Sequence, residues 1–397
     1  MAPVARRIVA ARGLRGLADG LVSVVLTIHL LALGFEATEV GAIVAATLVG
    51  SAALTIAVGL VADRLDPREV LLATTALMVA TGVGFATLTS FWPLLLLAVV
   101  GTLNPSAGDV TIFLPTEQSI LAAATPAHTR PAVYAWYNLA GGIAGALGAL
   151  AAGLPDRVAG TWNAGPGAGG TLAFAGYAGV GVALALLYRG AALPAMPRRA
   201  HDVAPLARSR PIVLQLTALF SLDAFGGGFV VQSLLVLWLA RRFGFSADVI
   251  GVVLFATGLL GALSQLVSAR LATRIGLVRT MVYTHLPANL LLVAAGLVPH
   301  AGAAVACLLG RALLSQMDVP VRQAYVMSVV PPEERAAAAT LTAVPRSLAA
   351  ALPPLVAGIM LDRSTIGWPL VCGGVLKALY DVLLLVQLRD VPPHEAT

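Results

Sequence analysis

The sequence is short of charge, of cysteine and of long polar stretches, and each shortage closes off a class of function. Asp, Glu, Lys and Arg together make up 11% of the 397 residues, where soluble domains carry about a quarter. The deficit is concentrated in long blocks, which excludes a large soluble enzyme and a disordered chain. The two cysteines, Cys307 and Cys372, both lie in apolar runs, so neither a disulfide framework nor a cysteine-rich zinc site is implied. No phosphate-binding loop, nucleophile–base arrangement or metal-ligand cluster stands out. The expectation is therefore a protein that is not an enzyme, holds no cofactor or metal, and draws its energy from an ion gradient. The longest polar segment, 189–210, is too short for a receptor's soluble domain or a scaffold.

What fills the chain instead is apolar: 58% hydrophobic residues, 40 glycines and a mean hydropathy of +0.89. A helix needs about 20 mainly apolar residues to cross the hydrocarbon layer. Twelve such segments lie near 14–34, 40–61, 70–89, 92–124, 132–154, 171–188, 211–239, 248–269, 279–298, 301–330, 336–360 and 369–388. The N-terminal stretch is basic from Met1 to Arg15, but the apolar run after it continues for a full span with no small-residue cleavage site, so it is expected to be the first span. The fourth segment holds Pro105 and Pro115 and the tenth holds Pro320. Both are too long for one crossing and are expected to be kinked or unwound.

Basic residues favour the cytoplasmic side of a membrane protein. With the N-terminus inside, 17 of the 25 Lys and Arg residues fall on that side and four outside, at Arg157, Arg241, Arg242 and Arg363. That places both termini in the cytoplasm and the chain in the inner (plasma) membrane. The net charge of +6 is thereby explained by topology, and no nucleic-acid partner is needed. The expected partners are a small-molecule substrate and the lipid bilayer, and the protein is expected to be monomeric.

The chain also repeats itself. Gly34-Phe35 then Gly41, after the first span, match Gly244-Phe245 then Gly251 after the seventh. Gly101 precedes Asp109-Val110 as Gly310 precedes Asp318-Val319. Gln118, Pro126, Arg130 and Gly153 match Gln323, Pro331, Arg335 and Gly358 at one offset of 205 residues. The expected organisation is a six-helix bundle over 1–188, a cytoplasmic linker over 189–210 and a second six-helix bundle over 211–397. Duplicated halves of this kind mark transporters that rock about a midplane site.

The loop after the second span reads Gly59-Leu60-Val61-Ala62-Asp63-Arg64-Leu65-Asp66-Pro67-Arg68. With twelve spans and a repeat, it resembles the signature loop of the major facilitator superfamily, with Asp66 and Pro67 where the pattern has Gly and a basic residue. A degenerate second copy, Arg270 to Gly276, puts Thr273 where Asp63 stands. The resemblance implies an all-α membrane protein of two pseudo-symmetric six-helix bundles. It also implies alternating access and a central cavity lined by helices 1, 4, 7 and 10. Gly59, Asp63, Arg64 and Arg68 would then form a gating loop, with Asp63 facing a helix N-terminus and the arginines in the headgroup region. The glycines of span five, Gly141, Gly142, Gly145, Gly148 and Gly153, offer a small-residue face for close packing. They are similar to the glycine-rich fifth helix of the family's antiporters, without its proline.

An ionisable group inside a span costs about 2.5–3.5 kcal/mol on insertion scales, so each needs a reason. The four helices expected to line the cavity all carry one: Asp19, Asp109 with Glu117, Asp223 and Asp318. Asp109 and Asp223 have no basic residue within a helical turn of their own helix, and burial favours the neutral acid. With Glu117 and Asp19 they are the proton-coupling candidates, although Asp19 could simply pair with Arg15, four residues before it. Asp318 and Arg322 are spaced to pair on one helix face, and with Arg311 and Arg346 they are candidates for a charge relay or a substrate contact. Lys377 and Asp381 share that spacing in span twelve, where a fixed structural bridge between helices is expected rather than a functional relay. Asn138, Gln232, Ser233, Gln265 and Asn289 are candidate cavity contacts, and His29 and His285 are isolated histidines read as packing.

These residues support alternating-access secondary transport, first as proton-coupled efflux of small amphipathic or cationic organic molecules. The solute would displace a proton from Asp109 or Asp223 before outward release. The alternative is a proton-coupled uptake symporter, or an exporter of an organic anion that uses the intramembrane arginines.

Overall fold

The computed structural model describes residues 3–61, 65–106, 112–126, 129–165, 167–190, 209–331 and 334–388, and among these it is helical throughout, with no strand. In sequence order the helices are α1 (Pro3–Ala32), α2 (Ala37–Val61), α3 (Pro67–Thr87), α4 (Phe91–Val100), α5 (Phe113–Ala124), α6 (Arg130–Leu150), α7 (Leu154–Thr161) and α8 (Ala168–Arg189). The second half supplies α9 (Arg210–Gly228), α10 (Gln232–Phe243), α11 (Ala247–Ile275), α12 (Leu277–Leu297), α13 (Ala301–Ser315), α14 (Asp318–Val329), α15 (Arg335–Ala351), α16 (Pro353–Arg363) and α17 (Trp368–Leu388). Contacts sort the chain into two units. Unit 1 comprises Met1–Arg199 with Val231–Phe255, and unit 2 comprises Ala200–Val230 with Ala256–Thr397.

Among the described residues eleven helical segments are long and apolar enough to cross a membrane. The fourth expected span is represented by α4 and α5, the second of which starts just past residue 112. The tenth is broken as well, α13 ending at Ser315 and α14 starting at Asp318. In both cases a proline, Pro115 or Pro320, sits in the first turn of the second half-helix. Proline is tolerated there because the first-turn N–H groups have no intrahelical acceptor. The seventh span also divides, at the end of the Gly226-Gly227-Gly228 run, and the eleventh divides at Leu352, before Pro353-Pro354.

Local chemistry accounts for the junctions. Gly34 and Gly244 both take positive φ, +89° and +67°, a region glycine enters without a Cβ clash. The repeated Gly-Phe pair is therefore a repeated helix stop. Asp66 and Pro67, the two departures from the loop pattern, build the start of α3. The Asp66 side chain accepts a hydrogen bond from the Arg68 backbone N–H at 2.8 Å, and Pro67 occupies the first helical position.

Between helices, close packing replaces the hydrophobic drive that lipid does not supply. In unit 1 the glycine face of α6 meets α1: a Cβ at Gly16 would fall 2.6 Å from the Gly141 carbonyl oxygen, and one at Gly20 would collide with Gly145. In unit 2 α9, α12, α14 and α17 enclose an apolar core that includes Leu216, Phe220, Val321, Tyr325 and Leu384. Large apolar side chains such as Trp92, Leu96 and Val386 face outward, as a lipid-exposed surface requires.

Candidate functional site

Each unit buries one network of charged side chains. In unit 1 Arg15 of α1 reaches Glu117 of α5 in a bidentate pair, Nη1 to Oε1 at 2.9 Å and Nη2 to Oε2 at 2.7 Å. The Tyr137 hydroxyl of α6 donates to Oε2 and the Tyr188 hydroxyl of α8 to Oε1, both at 2.5 Å. The Phe113 ring lies 4.5 Å from the Arg15 guanidinium carbon. Arg15 is 1% exposed and Glu117 0%, so the pair survives burial only because four helices contribute to its satisfaction. This corrects the local reading of Asp19: its neighbour Arg15 is committed to Glu117, 102 residues away. Asp19 is buried nearby and bonded by the Asn104 side chain.

In unit 2 the hub is Asp223 of α9. Lys377 of α17 donates to its Oδ1 at 2.5 Å and to its backbone carbonyl at 3.3 Å, and Arg322 of α14 donates to its Oδ2 at 3.2 Å. Arg322 also pairs with Asp318, one turn before it on the same helix, at 3.3 Å. That pair is the one the spacing predicts. On the other side of Asp223, His285 Nε2 of α12 lies 3.9 Å from Oδ1. His285 Nδ1 is 2.8 Å from Asp381 Oδ1, and the Asn289 amide donates to Asp381 Oδ2 at 2.8 Å. Lys377 and Asp381 are bonded to other helices rather than to each other, Lys377 to Asp223 of α9 and Asp381 to His285 and Asn289 of α12, so each forms a bridge between helices. Asp223 offers Lys377 a carboxylate and a backbone carbonyl together, while the equally buried Asp381 is satisfied by His285 and Asn289.

Arg322 also lines a pocket of about 160 Å³ with Phe220, Gln323, Val326, Thr342, Ala343 and Arg346. Among the candidates, this pocket unites Arg322 with Arg346. Arg311 is half-buried in the same unit, within electrostatic reach of Asp223. Asp109, Asp63 and Arg64 fall outside the described residues. Gly59 lies in the last turn of α2, and Arg68 in the first turn of α3.

The family model of the Major Facilitator Superfamily matches this chain over residues 8–315 and again over 217–397. The chain belongs to the Major Facilitator Superfamily. It is thus a multi-span membrane protein of a transporter family whose members carry small molecules and are generally not enzymes. The two matches overlap over residues 217–315. An uncharacterised membrane protein of Saccharomyces cerevisiae, YJR124C, is 25% identical over 421 residues, covering 95% of this chain and 92% of its own length. The fold is similar to that of a bacterial homologue of the human lysosomal transporter Spinster, at TM-score 0.73 and 15% identity, covering 97% and 96% of the two chains. It is similar also to a D-xylose–proton symporter, at TM-score 0.74 and 16% identity over 99% of each chain. The nucleoside transporter NupG gives TM-score 0.73 at 14% identity, over 97% and 98%.

On this Major Facilitator Superfamily frame the remaining candidates separate. Gln232 and Ser233 open α10 and are engaged within unit 1: Gln232 donates to the Ser23 hydroxyl at 2.7 Å, and Ser233 to the Ser23 and Pro105 carbonyls at 2.8 and 3.0 Å. Asn289 is buried on Asp381. Asn138 and Gln265 are exposed on α6 and α11, which leaves them apart from both networks. Sequence reasoning missed Lys377, His285 and Asp381 as members of the hub, and Tyr137 and Tyr188 as members of the unit 1 cluster. The signal available was the cost of an intramembrane lysine with no cavity to face.

Proposed function

We propose that the protein is a proton-coupled secondary transporter that carries a small organic anion together with protons, with Arg322 as the shared element. The observation behind this reading is the double engagement of Arg322, which pairs with Asp223 and Asp318 while lining the Arg346 pocket. An anionic group entering that pocket competes for the same guanidinium. Asp223 would keep Lys377, whereas the ion pair of Asp318 among the described residues is the one with Arg322. A carboxylate deprived of its cation holds a proton more readily. Anion binding and protonation of Asp318 then favour each other, and such linkage is reciprocal, so the two move in one direction.

The sign of that coupling selects the uptake symporter or anion carrier over cation efflux. A cationic solute would seek a carboxylate and displace its proton, which gives exchange. In either case we place the chain in the inner membrane with both termini cytoplasmic, working as a monomer on the proton gradient without a bound cofactor.

The test is transport by the full chain in proteoliposomes under an imposed pH gradient, against a panel of labelled carboxylates, phosphate esters, neutral polyols and organic cations. Accumulation of an anion when the acid side is outside, lost in Arg322→Gln, is the expected result. Acid-driven extrusion of a cation that survives Arg322→Gln would overturn it in favour of exchange.

A further inference from the structure

Unit 1 contains a second pocket, at the end of α1 opposite to the N-terminus, that plays no part in the reading above. It encloses about 220 Å³ among α1, the turn into α7, the start of α8 and Ala247 at the start of α11. Its walls are mostly small or apolar, with Val25, Ile28, Ala32, Ala152 and Pro155 among them. Two polar side chains enter it, His29 and Asp156.

His29 is 5% exposed, and its Nε2 lies 3.1 Å from the Phe85 carbonyl oxygen. A carbonyl only accepts, so Nε2 carries the hydrogen and the neutral ring presents a bare lone pair at Nδ1. That atom is buried and has no hydrogen-bond partner among the described residues. Phe174 holds the ring from the side, with centroids 5.2 Å apart. A buried acceptor with no donor is destabilising, and a ligand that donates to it removes that cost.

The carboxylate of Asp156 is the second acceptor. Consecutive glycines in the first turn of α8 admit the two groups: a Cβ at Gly170 would strike His29 Nδ1, and one at Gly169 would strike Asp156 Oδ1. Both residues line the one cavity. The Arg157–Asp248 ion pair, 2.8 Å long, stands beside it on solvent-exposed side chains, so the nearest arginine is already engaged. Two acceptors, one of them anionic, among apolar walls call for a ligand that donates hydrogen bonds and carries positive charge.

We propose that this pocket binds a primary ammonium group on a short apolar stem, the ammonium donating to His29 Nδ1 and Asp156. Its volume is below the ~300–1,000 Å³ of a pocket for a whole drug-sized ligand, which suits a head group. Primary ammonium reaches the protein from a free amine or from an ethanolamine lipid headgroup. The site is independent of the Arg322 pocket and stands or falls separately from it.

The experiment measures binding of n-butylammonium to the detergent-solubilised full chain by calorimetry, with tetramethylammonium, which donates no hydrogen bond, as control. Saturable binding of butylammonium alone is expected. It should weaken at least ~10-fold in Asp156→Asn, an exposed position that leaves folding intact, and in His29→Phe, which fills the ring's place without the lone pair. Absence of saturable butylammonium binding to the wild type would overturn the proposal, as would equal binding of tetramethylammonium or unchanged affinity in Asp156→Asn. A second arm repeats the titration in nanodiscs of phosphatidylethanolamine and of phosphatidylcholine. Loss of butylammonium binding in phosphatidylethanolamine alone assigns the site to lipid, and equal binding in both assigns it to a free amine.

Discussion

The two buried networks use the same residue types and do opposite things. Around Glu117 every donor converges on one carboxylate: a bidentate arginine and two tyrosine hydroxyls occupy its two oxygens. Asp19 lies within electrostatic reach of this cluster, but among the described residues the hydrogen bonds of Arg15, Tyr137 and Tyr188 to a carboxylate all end on Glu117. Around Asp223 the cations are divided. Arg322 serves two carboxylates and faces a cavity, Lys377 serves one, and His285 bridges toward a third acid, Asp381. A closed network holds helices in place, and an open one has members that can be traded for a ligand or a proton. The offset of 205 that relates Gln118 to Gln323 also relates Glu117 to Arg322. Duplication thus left an ionisable residue at one repeat position, with a negative charge in the closed network and a positive one in the open one.

Removing one partner of the closed network should have the largest effect on stability. Arg15→Met leaves Glu117 buried without its cation, a loss of about 3–5 kcal/mol, visible as a large drop in thermal unfolding temperature and in membrane expression. The double variant Arg15→Met with Glu117→Leu should recover most of that loss. If the double variant is as unstable as the single one, the pair is not a self-contained strut.

In the open network the largest effect should fall on transport. Arg322→Gln should reduce transport ~100-fold or more with a smaller drop in unfolding temperature than Arg15→Met, because Asp223 retains Lys377 and the glutamine amide, unlike a methionine, is still a donor for Asp318. A comparable loss of stability in both variants would erase the distinction between the networks. A finer probe is Asp318→Asn, which mimics the protonated acid. Exchange of labelled for unlabelled solute should persist in that variant, while accumulation driven by a pH gradient should disappear. Persisting gradient-driven accumulation would remove Asp318 from the coupling step. The smallest effects belong outside both networks: Asn138→Ala and Gln265→Ala should alter transport less than ~2-fold, and a larger loss would return those exposed positions to the site.

Much of the architecture was legible because its causes are local. The break in span four and the one before Asp318 follow from Pro115 and Pro320, and the helix stops after spans one and seven follow from Gly34 and Gly244. The i, i+4 pair of Asp318 with Arg322 was equally legible, since both sit on one helix. The same spacing does not pair Arg15 with Asp19 or Lys377 with Asp381. There it allowed a pair, but the bonded partner stood on another helix.

Sequence alone determined that this is a multi-span helical membrane protein and where several of its helices stop. Backbone polar groups in lipid must be satisfied within the segment, and that requirement is written in runs of apolar residues, prolines and glycines. Only the tertiary structure decided which charge meets which. Lys377 lies 154 residues from Asp223 and Arg15 lies 102 from Glu117, and an ion's partner in a low-dielectric interior is chosen by distance in space, on which spacing along the chain is silent.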